Sequence, residues 1–305
     1  MPVTDTPLRY PGGKSQLIPF VIELLRENDL FYGEYAEPFA GGAGIAMSLL
    51  LNGYVDQIHI NDIDPAIYSF WFCVLHHADE LCASIENTKV TMDEWYRQRE
   101  IHAESDLSNI TRLGFSTLFL NRTNRSGILN GGVIGGYAQE SAYTIDCRFN
   151  KADLVRKIRR IAAHRSQIHL SRLDAVDFIS EVIPNTGKRT LVNLDPPYYQ
   201  KGHALYTNFY QRDDHQKLAE SVFSIRRRWM VTYDNVPEIS RLYAGYPMFF
   251  YGLNYSAQLK RVGTELMVID PALRIPSAMR ASLHAIEASD IAKRCEQRGR
   301  SAVFS

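Results

Sequence analysis

The chain has 305 residues, 45% of them hydrophobic, which is enough for one substantial core and a smaller satellite domain. It contains no apolar run near the roughly 20 residues that cross a bilayer and no signal pattern at its start, so we expect a cytoplasmic protein without a membrane span. The formal net charge is zero, but eleven basic residues stand against three acidic ones between positions 112 and 172, a stretch that either holds a polyanion or forms a solvated helix face.

The first predicted element is a helix over residues 17–25, preceded by a glycine pair that lets the backbone approach a ligand. Gly13-Lys14-Ser15 is similar to the end of a phosphate-binding P-loop, but that motif requires a glycine where this chain has Leu8. The spacing therefore excludes a P-loop nucleotide triphosphatase. Lys14 is either a cation beside a ligand or an ordinary surface lysine.

Residues 35–50 predict a short strand, a glycine-rich turn and a helix. Such a turn suits a nucleotide-like ligand, because glycines allow close approach and the helix N-terminus offers free N–H groups. The next strand, 58–60, leads to Asp62 and Asp64, roughly 20 residues beyond the turn, where a two-strand nucleotide-binding unit places its ribose acceptor. We assign that role to Asp62. The alternative is that one of the two acids caps the helix beginning at Ala66.

Residues 66–120 have helical periodicity with apolar faces typical of a core, whereas residues 121–137 mix glycines with Arg, Asn and Ser. Such side chains hydrogen-bond base edges and phosphates, so we predict a mobile nucleic-acid-binding loop, with a bland surface loop as the alternative. The candidate nucleic-acid contacts are Arg122, Asn124, Arg125, Ser126, Asn130 and Tyr137.

Beyond this loop, residues 151–163 predict a basic helix and 167–170 a strand that leads to Asp174, which either accepts from an adenine amine or caps the next helix. A helix over 218–225 and strands over 229–233 and 265–269 follow. The tail holds one further helical pattern at 278–294, in which we recognise no chemistry.

The strongest chemical signal is Leu-Val-Asn-Leu-Asp-Pro-Pro-Tyr-Tyr at residues 191–199. Its apolar start predicts a buried parallel strand, which Pro196 and Pro197 stop. Because proline restricts the residue before it, the oxygens of Asp195 and Pro196 form a rigid acceptor pair that suits the two hydrogens of an exocyclic amine. Tyr198 offers a flat face for an extruded base. The alternative is a plain turn with core-facing tyrosines.

Four motifs together resemble the Dam-type DNA adenine-N6 methyltransferases, in that family's order and over roughly residues 7–270. They are Tyr-Pro-Gly-Gly-Lys at 10–14, Glu-Pro-Phe-Ala-Gly-Gly at 37–42, Asp62, and Asp-Pro-Pro-Tyr at 195–198. The resemblance implies an α/β fold: a mostly parallel, Rossmann-like methyltransferase sheet with helices on both faces and a small inserted helical DNA-recognition domain. We therefore expect a cofactor-binding catalytic part at 1–70, a target-recognition insertion at 71–150, a second catalytic part at 151–272 and a C-terminal tail at 273–305.

The resemblance also implies a site-specific enzyme that transfers a methyl group from S-adenosyl-L-methionine to N6 of a flipped adenine in double-stranded DNA. It assigns catalysis to Asp195, Pro196 and Tyr198. The cofactor-binding residues that it implies are Tyr10, Lys14, Glu37, Phe39, Gly41, Asp62, Asp174 and Asp195. This chemistry requires no metal, and the four cysteines lack the CxxC spacing of a zinc site. A cognate restriction endonuclease is a further partner to consider.

The chain departs from the family pattern at two places. Ala43, followed by Gly44, stands at a glycine position of the cofactor turn, and Ser126 and Asn130 stand where GATC-modifying members carry Asn and Arg. Because losing an arginine from a base contact alters readout, we predict adenine methylation without assigning the GATC site. N4-cytosine or RNA adenine methylation fits the same acceptor pair, and a catalytically silent binding protein is the alternative from another class.

Overall fold

The computed structural model describes residues 4–9, 14–199, 210–255, 261–277 and 284–285. The predicted cofactor residue Tyr10 lies outside this part of the chain. Of the helix predicted at 278–294, only residues 284–285 are described, and the prediction is wrong there, because they pair with a neighbouring strand. The chain divides into two compact units, one of Met1–Ile18 with Phe39–Ala175 and the other of Pro19–Pro38 with Val176–Ser305. Within the described ranges, no helix has the length and apolar character needed to cross a bilayer.

The described part of the chain combines strands and helices, and five consecutive α-helices follow the second strand. The strands are β1 Glu34–Glu37, β2 Gln57–Asn61, β3 Ile168–Ser171, β4 Thr190–Leu194, β5 Arg228–Asp234, β6 Met248–Tyr255, β7 Arg261–Ile269 and β8 His284–Ala285. The helices are α1 Ile18–Glu27, α2 Gly44–Leu51, α3 Pro65–His76, α4 Ala78–Asn87, α5 Met92–Glu104, α6 Ile110–Thr123, α7 Lys151–Ala162, the single turn α8 Ala175–Asp177, α9 Arg212–Phe223 and α10 Pro237–Leu242.

In the first unit, β2 and β3 pair in parallel, with Ile58 opposite Ile168 and Ile60 opposite Leu170. Helices α2 to α7 supply the rest of the core, and the entire segment 71–150 belongs to this unit. Its role in target recognition stays a prediction. The predicted basic helix at 151–163 is confirmed as α7, in which Leu154, Val155, Ile158 and Ile161 are buried.

Close packing of α3 against α6 depends on Gly114 of α6. A Cβ at this position would lie 2.5 Å from the Cys73 sulfur and 2.7 Å from the Ser69 carbonyl oxygen, both in α3. Because these distances are shorter than van der Waals contact, only glycine lets the two helices approach this closely. Three aromatic side chains of α3 and α5 are fully buried in the same unit: Phe70, Trp71 and Trp95.

The second unit contains a mixed sheet with the strand order β1-β4-β5-β7-β6-β8. Strands β1, β4 and β5 pair in parallel. Strand β7 pairs antiparallel with β5 on one side and with β6 on the other. All five residues of β4 are buried, as the apolar run at 191–194 predicts. The predicted strands at 229–233 and 265–269 are confirmed within β5 and β7, whereas β6 was not predicted. Parallel strands alternating with helices confirm the predicted α/β class.

Candidate active site

In the first unit, the glycine-rich turn between β1 and α2 is held from two sides. The indole nitrogen of Trp71 donates to the Gly41 carbonyl at 2.9 Å, and the Gly41 N–H donates to Oδ2 of Asp62 at 2.8 Å. Gly41 and Ala43 have φ values of +45° and +44°, in the left-handed region. Ala43 forms no side-chain cap, so no N-cap side chain covers the N–H groups that open α2.

Asp62 and Asp64 have separate functions after β2. Asp64 caps α3 by accepting from the Ala66 N–H at 2.8 Å, which confirms that one of the two acids is a cap. Asp62 accepts from Gly41 N–H with one oxygen and from Asp64 N–H, at 3.0 Å, with the other. Burial, together with the charge of Asp64, raises the pKa of Asp62 to about 7. Each oxygen retains a lone pair that can accept a ligand hydroxyl.

The remaining predicted cofactor residues differ in their exposure. Lys14 lies on the 3-10 turn Lys14–Leu17 and is only 6% exposed, so the surface alternative for this lysine is wrong. Phe39 and Asp174 are half-buried. Glu37, in the second unit, is buried and accepts a hydrogen bond of 3.0 Å from the Tyr35 hydroxyl. Burial and the neighbouring Glu37 charge raise the pKa of Tyr35 well above its usual range, so this hydroxyl remains a donor.

In the second unit, β4 delivers Asp195 at its carboxyl end, and β5 supports the residues that follow. The Thr232 hydroxyl donates to Oδ1 of Asp195 at 2.9 Å. Two residues further along β5, the Asp234 carboxylate accepts from the Tyr199 N–H at 2.9 Å. Thr232 and Asp234 lie on the same face of β5 because side chains alternate along a strand. The Asp-Pro-Pro-Tyr-Tyr segment, residues 195–199, is therefore held at both ends by one strand.

The ring of Tyr198 is oriented through its hydroxyl group. Tyr198 OH donates to Oε1 of Glu265 at 2.6 Å, and Tyr251 OH donates to the second oxygen of that carboxylate, also at 2.6 Å. Glu265 is 1% exposed. The sequence analysis assigned no role to Thr232, to Glu265 or to Tyr251, which donates to Glu265. The available signal for Glu265 was an acid at the head of the buried apolar run Leu266–Ile269.

The model of the D12 class of N6 adenine-specific DNA methyltransferases matches residues 10–257. The chain belongs to this family. The match confirms the predicted resemblance to adenine methyltransferases and with it the Rossmann-like fold and the enzyme class, an adenine-specific DNA methyltransferase.

The other comparisons add little to this assignment. No curated protein matches the sequence. The crystal structure of protein LPL1258 from Legionella pneumophila aligns at 13% identity over 88% of this chain and 90% of that one, with a TM-score of 0.32. This similarity is too low to carry an argument about either fold or function.

In this D12 methyltransferase, the segment predicted to contact nucleic acid combines buried and exposed residues. Asn124 is fully buried: its amide nitrogen donates to the carbonyls of Ile128 and Leu129 at 3.0 and 2.7 Å, and its oxygen accepts from the Trp95 indole at 2.7 Å. Arg122 is half-buried, and burial together with the charge of Arg9 lowers its pKa to about 10. The exposed members are Arg125, Ser126, Asn130 and Tyr137.

Asn121 joins the start of the chain to the same segment. Its oxygen accepts from the Arg9 N–H at 2.7 Å, and its nitrogen donates to the Arg9 and Gly127 carbonyls at 2.6 and 2.9 Å. Gly127, with φ of +78°, leaves no room for a Cβ, which would lie 2.4 Å from the Arg9 carbonyl oxygen. Asn121 and Asn124 thus shape the segment through their contacts with backbone groups.

Proposed function

We propose that this D12 methyltransferase transfers a methyl group from S-adenosyl-L-methionine to N6 of a flipped adenine in duplex DNA, at specific sites. The observation that carries the proposal is the fixed geometry at the end of β4. There, Asp195 is held by Thr232 at 2.9 Å, next to Pro196, which has no N–H and presents only a carbonyl. This arrangement offers two hydrogen-bond acceptors and no competing backbone donor.

The residues of the first unit fit S-adenosyl-L-methionine. The ribose of this cofactor carries two hydroxyl donors, and each oxygen of Asp62 keeps a lone pair after accepting one backbone N–H. The clamped Gly41 turn allows close backbone approach, and the first turn of α2 has N–H groups without a side-chain cap. We assign ribose binding to Asp62 and further cofactor contacts to Lys14, Phe39, Gly41 and Asp174 of this unit, with Tyr10, which lies outside the described residues. The roles of Glu37 and Asp195 in cofactor binding stay predictions from the sequence.

S-adenosyl-L-methionine supplies an electrophilic methyl group on a sulfonium sulfur. The adenine N6 is a poor nucleophile because its lone pair is conjugated into the ring. In our proposal, the two N6 hydrogens form hydrogen bonds to the Asp195 carboxylate and the Pro196 carbonyl, which draw the nitrogen toward tetrahedral geometry. The N6–methyl bond forms as the sulfur–methyl bond breaks, the electron pair of that bond stays on sulfur, and the methylated N6 then loses one proton to water. As N6 gains positive charge, both hydrogen bonds strengthen, so the stabilisation is greatest in the transition state. Tyr198 stacks on the flipped base.

The DNA itself is bound in this proposal by the exposed members of the segment that follows α6. Arg125 contributes charge, Ser126 and Asn130 contribute hydrogen-bonding groups, and Tyr137, 63% exposed, contributes an aromatic face. Ser126 has φ of +56°, a conformation that turns the chain sharply at this point. Asn124 supports the segment from inside. The differences at 126 and 130 lead us to propose a recognition sequence that is not fixed as GATC.

Incubation with unmethylated duplex DNA and methyl-labelled S-adenosyl-L-methionine tests the proposal. After digestion to nucleosides, the label should be found in N6-methyladenine. Asp195→Ala should lose at least about 100-fold in rate, since it removes an interaction made mainly in the transition state. Asp213→Ala, an exposed acid in the same unit, is the matched control and should retain full activity.

Two results would contradict the proposal: label in another nucleoside, or an Asp195→Ala variant as active as Asp213→Ala. Mapping the methylated positions in a treated plasmid then defines the recognition sequence. Methylation confined to GATC would contradict the altered readout proposed for Ser126 and Asn130.

A further inference from the structure

Three neighbouring strands place polar side chains in one row across the sheet of the second unit. In the antiparallel pairing, Asp234 of β5 lies opposite Glu265 of β7, and Glu265 lies opposite Tyr251 of β6. Directly opposed residues of neighbouring strands point to the same face of a sheet. Asp234, Glu265 and Tyr251 therefore form a continuous row, which we call the polar row.

The polar row contacts two consecutive residues of the Asp-Pro-Pro-Tyr-Tyr segment. Asp234 accepts from the Tyr199 backbone N–H at 2.9 Å, and Glu265 accepts from the Tyr198 hydroxyl at 2.6 Å. Tyr251 donates to the other Glu265 oxygen at 2.6 Å. The first contact fixes the backbone after the two prolines, and the second fixes the far end of the Tyr198 ring. Together they define the position and the plane of that ring.

The chemistry of Glu265 indicates that this role is specific and not a matter of core packing. Both of its oxygens accept from tyrosine hydroxyls, which is the hydrogen-bonding pattern of an ionised carboxylate. Burying a carboxylate that is only 1% exposed costs free energy. Phenylalanine at position 198 packed against an apolar residue at position 265 would fill the same space without that cost. The acid is therefore best explained by the orientation that it imposes on Tyr198.

We propose that Glu265, supported by Tyr251, is the positioning residue that holds the Tyr198 ring ready to stack on the flipped adenine. This inference rests on the function proposed above, in which Tyr198 receives the base. A ring fixed in advance loses little conformational freedom when the base arrives. Loss of the anchor should therefore slow methyl transfer without weakening cofactor binding.

The first test measures the ring directly and requires no activity. In protein labelled with 3-fluorotyrosine, the fluorine resonance of residue 198 is identified by its absence from Tyr198→Phe. Glu265→Gln should shift this resonance, whereas Tyr32→Phe, which alters a tyrosine 62% exposed in the same unit, should leave it unchanged. An unmoved resonance in Glu265→Gln would overturn the proposal.

The second test measures single-turnover methyl transfer on a duplex that carries the mapped site. Glu265→Gln should transfer the methyl group about tenfold more slowly, which is the effect expected for a weakened hydrogen bond to a charged group. Its affinity for S-adenosyl-L-methionine and its midpoint temperature of thermal unfolding should be unchanged. Tyr251→Phe should show a smaller loss. Glu265→Gln combined with Tyr198→Phe should be no slower than the slower single variant, because both changes break the same contact.

The outcomes separate the two proposals. A wild-type rate in Glu265→Gln, or losses that multiply in the double variant, would overturn the positioning role. A loss of rate that is matched by a lowered thermal midpoint or by weaker cofactor binding would overturn it as well, since it indicates a structural effect. Wild-type protein that methylates no DNA while Glu265→Gln still shifts the Tyr198 resonance would refute the proposed function alone.

Discussion

The hydrogen bond between Thr232 and Asp195 gives the sharpest test of the catalytic geometry. Thr232 is 1% exposed, and its hydroxyl donates to Oδ1 of Asp195 at 2.9 Å. Thr232→Val keeps the shape of the side chain and removes only the donor. Because valine and threonine are similar in volume, no cavity should form, and the change should act mainly on the orientation of the Asp195 carboxylate.

The size of the effect follows from the environment of Asp195. A hydrogen bond to a charged group stabilises by about 1.5–3 kcal/mol, and each 1.36 kcal/mol corresponds to a factor of about ten in rate. If the whole bond acted in the transition state, the loss would be roughly 10- to 150-fold. Asp195 is half-buried, so water can replace the lost donor in part. We therefore expect a loss of about tenfold in the rate of methyl transfer.

Single-turnover transfer of labelled methyl groups to DNA measures this loss without interference from product release. Thr232→Ser, which keeps the hydroxyl, is the control and should remain within about twofold of the wild type, because the donor to Asp195 is retained. A valine variant with the wild-type rate would refute the reasoning. An equal loss in the serine and valine variants would also refute it, since packing of the methyl group would then explain the effect.

Three further predictions concern the first unit. The pKa of Asp62 is raised to about 7, and in the proposed site only the ionised carboxylate accepts both ribose hydroxyls. Calorimetry should therefore show that the affinity for S-adenosyl-L-methionine increases as the pH rises through about 7. Asp62→Asn should bind the cofactor more weakly and without this pH dependence. Asn124→Ala leaves the buried Trp95 indole without its acceptor and should destabilise the fold by about 2–4 kcal/mol in urea unfolding. A loss below about 1 kcal/mol would contradict the structural role of the Asn124 hydrogen bonds. Arg125→Ala should reduce, by about 1, the magnitude of the slope of the logarithm of the DNA-binding constant against the logarithm of the salt concentration. Lys188→Ala, which changes an exposed lysine, is the control and should leave this slope unchanged.

The raised pKa of Asp62 also affects stability in the absence of cofactor. The pKa rises from its ordinary value of 3.8 to about 7 on folding, so ionisation of this group opposes folding. Its contribution to stability should be complete below about pH 3.8 and should be lost as pH rises through about 7. Asp62→Asn should remove this part of the pH dependence, and an unchanged pH profile of urea unfolding in that variant would contradict the assigned shift.

The sequence by itself determined the features that depend on neighbouring residues. An apolar run stopped by two prolines sufficed to place β4 and the acid at its end, because strand burial and proline geometry are local. The spacing of Asp62 and Asp64 likewise predicted a cap for α3, which Asp64 provides. The order of four short motifs sufficed to indicate the methyltransferase family.

Only the tertiary structure decided which polar residues are exposed and which hold the chain together. Asn124 has the composition of a base reader, yet its partners Ile128, Leu129 and Trp95 occupy every polar atom of its side chain in the interior. The strand β6 was missed because Gly252 and Asn254 interrupt its aromatic run, residues that strands disfavour when judged by propensity alone.

The contacts that support the Asp-Pro-Pro-Tyr segment could not be predicted from the sequence for the same reason. Thr232 and Glu265 lie 37 and 67 positions from the residues that they hold, Asp195 and Tyr198. No local pattern encodes such a pairing, because it depends on the register of β5, β6 and β7. The sequence determined that an acid and an aromatic ring would stand at the end of a strand, and the sheet decided how both are held.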